Sequence, residues 1–167
     1  MDSRLPKLIF VLLVLYAVVH FSNNYSQLPA VVASHFNARG MPNGWQTKQA
    51  FFVVFAVVSF LIVFVAFGIP RFISALPPQL INLPNKQYWL APQNLAETRS
   101  FLETQFAWFG CAVYVVIILA FDFAIQSNLH PENPPNPNRI WYILGAFLVF
   151  VAFWIIRLTL RFSTTPE

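Results

Sequence analysis

The residues of this sequence best suited to chemistry are its three histidines and one acid within an apolar stretch. The histidines are His20, His35 and His130, and the acid is Asp122, which follows a long run of Val, Ile, Leu, Ala and Phe. Imidazole and carboxylate groups can share a proton, form an ion pair or bind a divalent cation together. A carboxylate in an apolar segment is costly and by default marks a functional site or a buried partner. Asp122, with His20 or His35, is therefore the first candidate site.

Three interpretations of Asp122 stay open from the sequence. It can pair with Arg139 or cap loop amides at interface depth, it can make a structural contact with a histidine, or it can hold a proton or a metal ion with His20 or His35. The specific hypothesis is a pair between Asp122 and His35, which would tie the segment around His35 onto the helices. That pair would shape one outward-facing polar pocket with His20 at its floor.

Residues 28–48 form the densest polar segment, and they contain two recognition candidates, His35 and Asn37. The segment is punctuated by four turn-forming residues, Pro29, Gly40, Pro42 and Gly44. Proline and glycine at this density predict a compact fold of tight turns rather than a loose connector. Trp45 precedes an apolar segment, and an indole there suits the membrane interface.

Motifs typical of enzymes are missing from the sequence. No Cys or carboxylate lies near His35 at the spacing of a compact metal motif, and neither Gly-x-Ser-x-Gly nor His-Glu-x-x-His occurs. We therefore expect a protein that is not an enzyme and needs no cofactor, while a metal site at the His and Asp residues stays open.

The elements that position these residues must be membrane helices. Hydrophobic residues make up 57% of the 167 residues and charged residues only 10%, where soluble domains carry about 25% charged. The net charge of +4 comes from Lys and Arg residues scattered singly along the chain, with no basic run that could follow a phosphate backbone. This composition indicates an integral membrane protein and argues against nucleic acid as a partner.

Four apolar segments have the roughly 20 residues that a membrane-crossing helix needs. Their approximate bounds are 5–21, 50–69, 106–125 and 140–160. They predict an all-α integral membrane protein, with residues 1–167 as a single membrane domain: a four-transmembrane-helix bundle with a structured outer loop. A signal peptide is a weaker interpretation of the first segment, because residues 22–28 would form an unusually long polar region before a cleavage site.

The distribution of Lys and Arg predicts the orientation of the chain. One side of the membrane collects seven of them, Arg4, Lys7, Arg71, Lys86, Arg99, Arg157 and Arg161; the other collects three, Arg39, Lys48 and Arg139. This asymmetry favours both termini in the cytoplasm. The loops around 22–49 and 126–139 then face outward, and the loop around 70–105 faces inward.

The inner loop has two predicted features. Lys86, Tyr88 and Trp89 are expected at the membrane surface, because amphipathic rings and a cation suit the headgroup region. Asn94 and Glu97 have the spacing of a capping box, which predicts a helix that starts there and continues into the third span.

The segment at about 25–49 contains Leu28-Pro29 and then His-Phe-Asn-x-x-Gly-x-Pro-x-x-Trp-x-x-Lys over residues 35–48. This pattern resembles a bacterial membrane family known as domain of unknown function 1648, and residues 81–90 are similar to the cytoplasmic-loop motif of its small Gram-negative members. The resemblance is strong over 25–55 and moderate over 80–125. The same domain forms the N-terminal part of sporulation-delaying-protein immunity proteins, which protect a cell against a membrane-active toxin. The resemblance implies a multi-pass protein of the bacterial inner membrane, with an immunity-like role among the expectations.

Three classes of function follow from these observations. The first is a non-enzymatic membrane module that senses, protects or regulates, with the outer loop as its recognition surface. The second is a small transporter that works as an oligomer, and the third is a membrane enzyme with a His/Asp metal site. The first is favoured, because the polar groups within the spans are too few for a transport path or for catalysis. The expected partners are the lipid bilayer and either further copies of the chain or a membrane partner protein.

Overall fold

The computed structural model describes residues 4–77 and 80–165, apart from the side chain of Ser74, and most of these residues are helical. Between the first two long helices the chain forms a hairpin of two strands. The elements in chain order are α1 (Arg4–Tyr25), β1 (Val31–Phe36), β2 (Pro42–Thr47), α2 (Lys48–Val63), a π-helical turn (Phe64–Gly68), α3 (Ile69–Ala75), α4 (Lys86–Trp89), α5 (Pro92–Leu129) and α6 (Asn138–Ser163).

Within the described residues, four helical segments are long and apolar enough to cross a membrane, which confirms the predicted fold class. They are Arg4–Tyr25, Lys48–Ile73, Pro92–Leu129 and Asn138–Ser163. Each contains one predicted span and extends beyond it, because a helix satisfies its own backbone groups and can continue past the apolar core into polar turns.

The longest helix, α5, is the centre of the bundle. Helix α1, helix α2 with the π-helical turn, and helix α6 each pack against it. The core between α1, α2 and α5 is rich in aromatic rings: Phe21 and Phe55 meet edge to face with ring centroids 4.3 Å apart, and Tyr114 of α5 is 1% exposed. Because lipid is as apolar as these side chains, such fitted contacts hold the helices together in a membrane.

The π-helical turn brings the second span close to α5. The amide of Ile69 bonds to the carbonyl of Phe64, five residues back, and Pro70 follows with no amide hydrogen to donate. Ala66 in this turn lies against Gly110 of α5, where a Cβ atom built on the glycine would lie 2.4 Å from the Cβ of Ala66. The two backbones therefore approach at a distance that only glycine permits at position 110.

The hairpin occupies the segment that was predicted as a structured loop, and its two strands are the feature that the prediction lacks. Strands β1 and β2 pair antiparallel from Val31 opposite Thr47 to Phe36 opposite Pro42, with irregular register on both sides of His35. Gly40 has a φ of +74° in the connecting turn. The tight turns predicted for this segment are thus present, and they join two strands.

In the loop around 70–105, the predicted helix that continues into the third span is confirmed, whereas its predicted start and the predicted exposure of Trp89 are wrong. Helix α5 begins at Pro92 rather than at a cap on Asn94, because proline is preorganised for the first helical position; the Asn94 side chain instead donates to the carbonyl of Tyr88. Trp89 is 3% exposed and packs against Phe162, so its ring is covered by the protein and is not exposed to headgroups as predicted. The positions of Tyr88 and Lys86 at that surface stay a prediction.

Candidate functional site

Asp122 joins three helices near the end of the bundle that carries the hairpin. Its Oδ1 atom lies 2.9 Å from Nε2 of His20 on α1 and accepts a hydrogen bond from Gln126 at 3.4 Å. Its Oδ2 atom lies 3.6 Å from Nη2 of Arg139 on α6. The Asp122 side chain is only 15% exposed, so both oxygens are engaged within the protein. The carboxylate acts as a polar junction of α1, α5 and α6.

The hypothesis that Asp122 pairs with His35 is therefore wrong. Across residues 4–77 and 80–165, the side-chain partners of Asp122 are His20, Gln126 and Arg139. His35 lies in β1 opposite Gly44, and its ring is close enough that a Cβ on this glycine would lie 3.2 Å from the imidazole Cδ2. The contacts that the two other interpretations predicted, one with a histidine and one with Arg139, are both present. The histidine in contact is His20.

Asn128 fastens the hairpin to α5. Its Oδ1 accepts the amide of Ala33 at 2.8 Å, and its Nδ2 donates to the Ala33 carbonyl at 2.8 Å. The side-chain amide thus bonds to β1 as a peptide group of a neighbouring strand would. In the sequence, Asn128 stands among the polar residues that end the third span, and its neighbours give no sign of this second function.

Lys48 fastens the other side of the hairpin. Its Nζ donates to the carbonyls of Leu28 and Tyr25, at 3.3 and 3.5 Å, and lies 4.8 Å from the centre of the Tyr25 ring. A cation at the carboxyl end of α1 satisfies carbonyls that have no helical partner and interacts favourably with the helix dipole. This lysine, the last residue of the pattern over 35–48, is therefore a structural residue.

Asn37 shapes the turn of the hairpin. Its Oδ1 accepts the amides of Arg39 and Met41, at 2.9 and 3.1 Å. Gly40 lies beside the loop before α6, where an added Cβ would be 2.5 Å from Cβ of Pro137. The tip of the hairpin therefore lies directly against the start of α6.

A cavity of about 440 Å³ lies between the hairpin, α5 and the start of α6. This volume is within the range of roughly 300–1,000 Å³ that small-molecule sites occupy. The walls are mostly apolar, with a few polar groups from the hairpin. They are formed by Ser34, His35, Phe36, Asn37, Ala38 and Gly40 of the hairpin, Ala120, Phe123 and Ala124 of α5, and Pro137, Ile140 and Trp141 around the start of α6.

The predicted site residues thus separate into two groups. His35 and Asn37 line the cavity, while His20 and Asp122 form the junction between helices. The polar pocket predicted from an Asp122–His35 pair, with His20 at its floor, is not formed among the described residues; the cavity at this end has mostly apolar walls, and neither Asp122 nor His20 lines it. Phe123 and Trp141 are lining residues that the sequence did not single out, because any aromatic residue in a span is compatible with lipid contact.

Residues 8–61 match the model of the family described as domain of unknown function (DUF1648). The match covers α1, the hairpin and most of α2, which is 54 of the 167 residues, and it confirms the resemblance predicted over 25–55. It ends before residues 80–125, where the resemblance stays a prediction. No curated protein and no solved structure matches the chain. The matched segment supplies the hairpin wall of the cavity, and α5 and the start of α6, which lie outside the match, supply the facing walls.

The metal interpretation has no ligand set in the part of the chain that the structure describes. There, no group of three or more His, Cys, Asp or Glu side chains is arranged to hold a metal ion. The Asp122 carboxylate contacts one histidine, and its remaining contacts are to Gln126 and Arg139, which are not metal ligands of this kind.

Proposed function

We propose that this protein is a non-enzymatic multi-pass membrane protein that recognises a small amphipathic ligand in the cavity beneath its hairpin, in a sensing, immunity or regulatory role. The cavity is the observation that carries this proposal. Aromatic and aliphatic walls with a few polar groups at one side are typical of sites that bind and orient a ligand. The ligand enters with its apolar part against Phe123 and Trp141 and its polar part toward His35 and Ser34.

The disposition of the ionisable groups supports binding rather than catalysis. Asp122 is held by His20, Gln126 and Arg139, so it is committed to joining helices. His35, which lines the cavity, has an exposed side chain and has no carboxylate among the other lining residues to orient it as a general base.

The proposed setting is the bacterial inner membrane, with both termini in the cytoplasm and the hairpin outside. The concentration of Lys and Arg at the end opposite the hairpin supports this orientation. Helix α6 contacts α5 along one side, and no residue in its most apolar 18-residue stretch is fully buried. The side of α6 that faces away from α5 is available to lipid, to a second copy of the chain or to a membrane partner protein.

Photo-crosslinking in living cells tests the proposal. A benzophenone amino acid replaces Phe36 or Trp141, on opposite walls of the cavity, and as a control Val149, which is 72% exposed on α6. Both cavity positions should yield an adduct of the same mass that position 149 does not yield. Identical adducts at all three positions would mean that only bulk lipid is reached, and the proposal would fail.

Filling the cavity gives a second, independent measurement. Ala120 is exposed on the cavity wall, so Ala120→Phe should fill the space without disturbing the core, and Ala152→Phe is the matched change on an exposed part of α6. The adduct at position 36 should be lost with Ala120→Phe and kept with Ala152→Phe. A flux assay on liposomes that contain the purified protein tests the transporter alternative. Solute flux that Ala120→Phe abolishes would favour a transporter instead.

A further inference from the structure

The end of the bundle opposite the hairpin is strongly basic. Among the described residues it carries seven cations and two acids, a net charge of +5: Arg4, Lys7, Arg71, Lys86, Arg99, Arg157 and Arg161 against Glu97 and Glu103. One cation–acid pair, Lys7 with Glu103 at 3.2 Å, links α1 to α5. An excess of cations at the end of a helical bundle attracts anionic lipid headgroups.

Within this end, a groove of about 420 Å³ runs between α5 and α6. Its lining is Glu97, Ser100 and Phe101 of α5 and Arg157 and Arg161 of α6. The two arginines are four residues apart on one helix, so they lie on the same face one turn from each other. Ser100 is exposed on the α5 wall of the groove and adds a hydroxyl group to its lining.

Arg161 is held in place before any ligand binds. Its guanidinium carbon lies 4.5 Å from the ring centre of Trp89 and 5.5 Å from that of Phe101, and Nη2 bonds to the Glu97 carboxylate. The Arg161 side chain is still 32% exposed, and it lines the groove. A guanidinium presents several N–H donors in a plane, which suits the oxygens of a phosphate. Rings that fix its orientation reduce the entropy lost on binding.

The surroundings of the groove suit a ligand that continues as hydrocarbon. Helix α6 exposes Phe153, Ile156 and Leu160 beside the arginines, with exposed fractions of 62, 56 and 63%. A phosphate in the groove would thus have its acyl chains along an apolar helix face. Glu97 is the one acid in the lining, and it opposes an anion while two cations favour it.

We propose that this groove binds the phosphate of an anionic phospholipid, with Arg157 and Arg161 as its cationic ligands and Ser100 as a hydroxyl donor. The site is separate from the cavity beneath the hairpin and stands without the proposed ligand there. A lipid bound in this groove would occupy one specific position at the basic end of the bundle, rather than being attracted diffusely to its charge.

Native mass spectrometry of the purified full chain, titrated with phosphatidylglycerol or phosphatidylcholine, tests the proposal. Phosphatidylglycerol should bind more tightly, and Arg157→Gln should weaken it by about fivefold, the contribution of one cation near an anionic surface. Glu97→Gln should tighten binding, because it removes the acid that opposes the phosphate while Trp89 and Phe101 still hold the Arg161 guanidinium. Arg71→Gln, a matched charge change at the same end but outside the groove, should leave the affinity within about twofold.

The opposite results overturn the proposal. Equal losses for Arg157→Gln and Arg71→Gln would mean a diffuse electrostatic effect, and weaker binding by Glu97→Gln would mean that Glu97 supports folding of this end rather than opposing a ligand. Inorganic phosphate that displaces the lipid at equal concentration would show a site for free anions. Because Arg157→Gln lowers charge and Glu97→Gln raises it, a folding defect in one variant leaves the other to decide.

Discussion

A carboxylate in an apolar helix needs partners, and Asp122 has two cationic or ionisable ones on different helices. His20 belongs to α1 and Arg139 to α6, while Asp122 itself lies on α5. A single side chain therefore connects helices that are far apart along the chain. His20 is in turn stacked on Tyr16, with ring centroids 5.5 Å apart, which fixes the imidazole toward α5.

This geometry makes Asp122 and His20 a coupled pair. Removing His20 leaves Asp122 Oδ1 with only the longer bond from Gln126, and removing Asp122 leaves His20 Nε2 without its carboxylate, so the two losses should not add. Asp122→Ala and His20→Ala should each lower the free energy of unfolding in detergent. The double variant should be less destabilised than the sum of the two, with a coupling of about 1 kcal/mol or more.

The matched control combines Asp122→Ala with His35→Ala, because His35 lies in the hairpin and does not contact Asp122. These two losses should be additive within about 0.5 kcal/mol. Coupling to His35 and additivity with His20 would contradict the arrangement described for this junction.

Which histidine meets Asp122 could not be predicted from the sequence. Both His20 and His35 fall on the same side of the membrane in the predicted topology, and both are suitable partners by chemistry. The choice depends on β1, whose pairing with β2 and contact with Asn128 place His35 over Gly44. The predictions that held, the four long apolar helices and the tight turns of the polar segment, depend on residue type and hydropathy along the chain.

Among the elements, the long helices were predictable and the hairpin was not. Each span must satisfy its backbone groups internally, so a sufficiently long apolar run in a membrane is a helix. The second strand, Pro42–Thr47, begins Pro-Asn-Gly, residues that are depleted in strands. It forms because β1 pairs with it and because Lys48 and Asn128 hold the hairpin from two sides.

The contact between Asn128 and Ala33 gives the hairpin its position, and it can be tested directly. Asn128→Ala leaves the amide and carbonyl of Ala33 without these partners, which should cost about 1–3 kcal/mol. Hydrogen exchange of the amides in residues 31–36 should become faster, while exchange in the core of α5 stays as it is.

Asn133→Ala is the matched control, since Asn133 is exposed in the loop between α5 and α6. Asn128→Asp separates the two bonds, because a carboxylate can accept from the Ala33 amide but cannot donate to its carbonyl. It should give an intermediate increase in exchange. Unchanged exchange in both Asn128 variants would show that strand pairing alone holds the hairpin.

The molecule as a whole has two ends of different character, joined by α5. At about 1.5 Å per residue the 38 residues of α5 extend for about 57 Å, whereas the hydrocarbon core of a bilayer is about 30 Å thick. The helix must therefore project from the membrane. One end of it contacts an apolar cavity beneath the hairpin, and the other carries Glu97 and Glu103 among the basic residues.

The orientation of these two ends is testable by cysteine labelling. Asn43, Gln93 and Asn136 are exposed, and the native Cys111 is buried at 5% exposure, so single introduced cysteines should dominate the signal. A membrane-impermeant maleimide added to the non-cytoplasmic side of the intact membrane should label Asn43→Cys and Asn136→Cys but not Gln93→Cys. The reason is that the seven cations grouped with Gln93 favour retention in the cytoplasm over the three grouped with the hairpin. Permeabilised membranes should label all three positions, which controls for accessibility. Labelling of Gln93→Cys alone in intact membranes would invert the topology, placing the hairpin cavity in the cytoplasm and the basic groove outside.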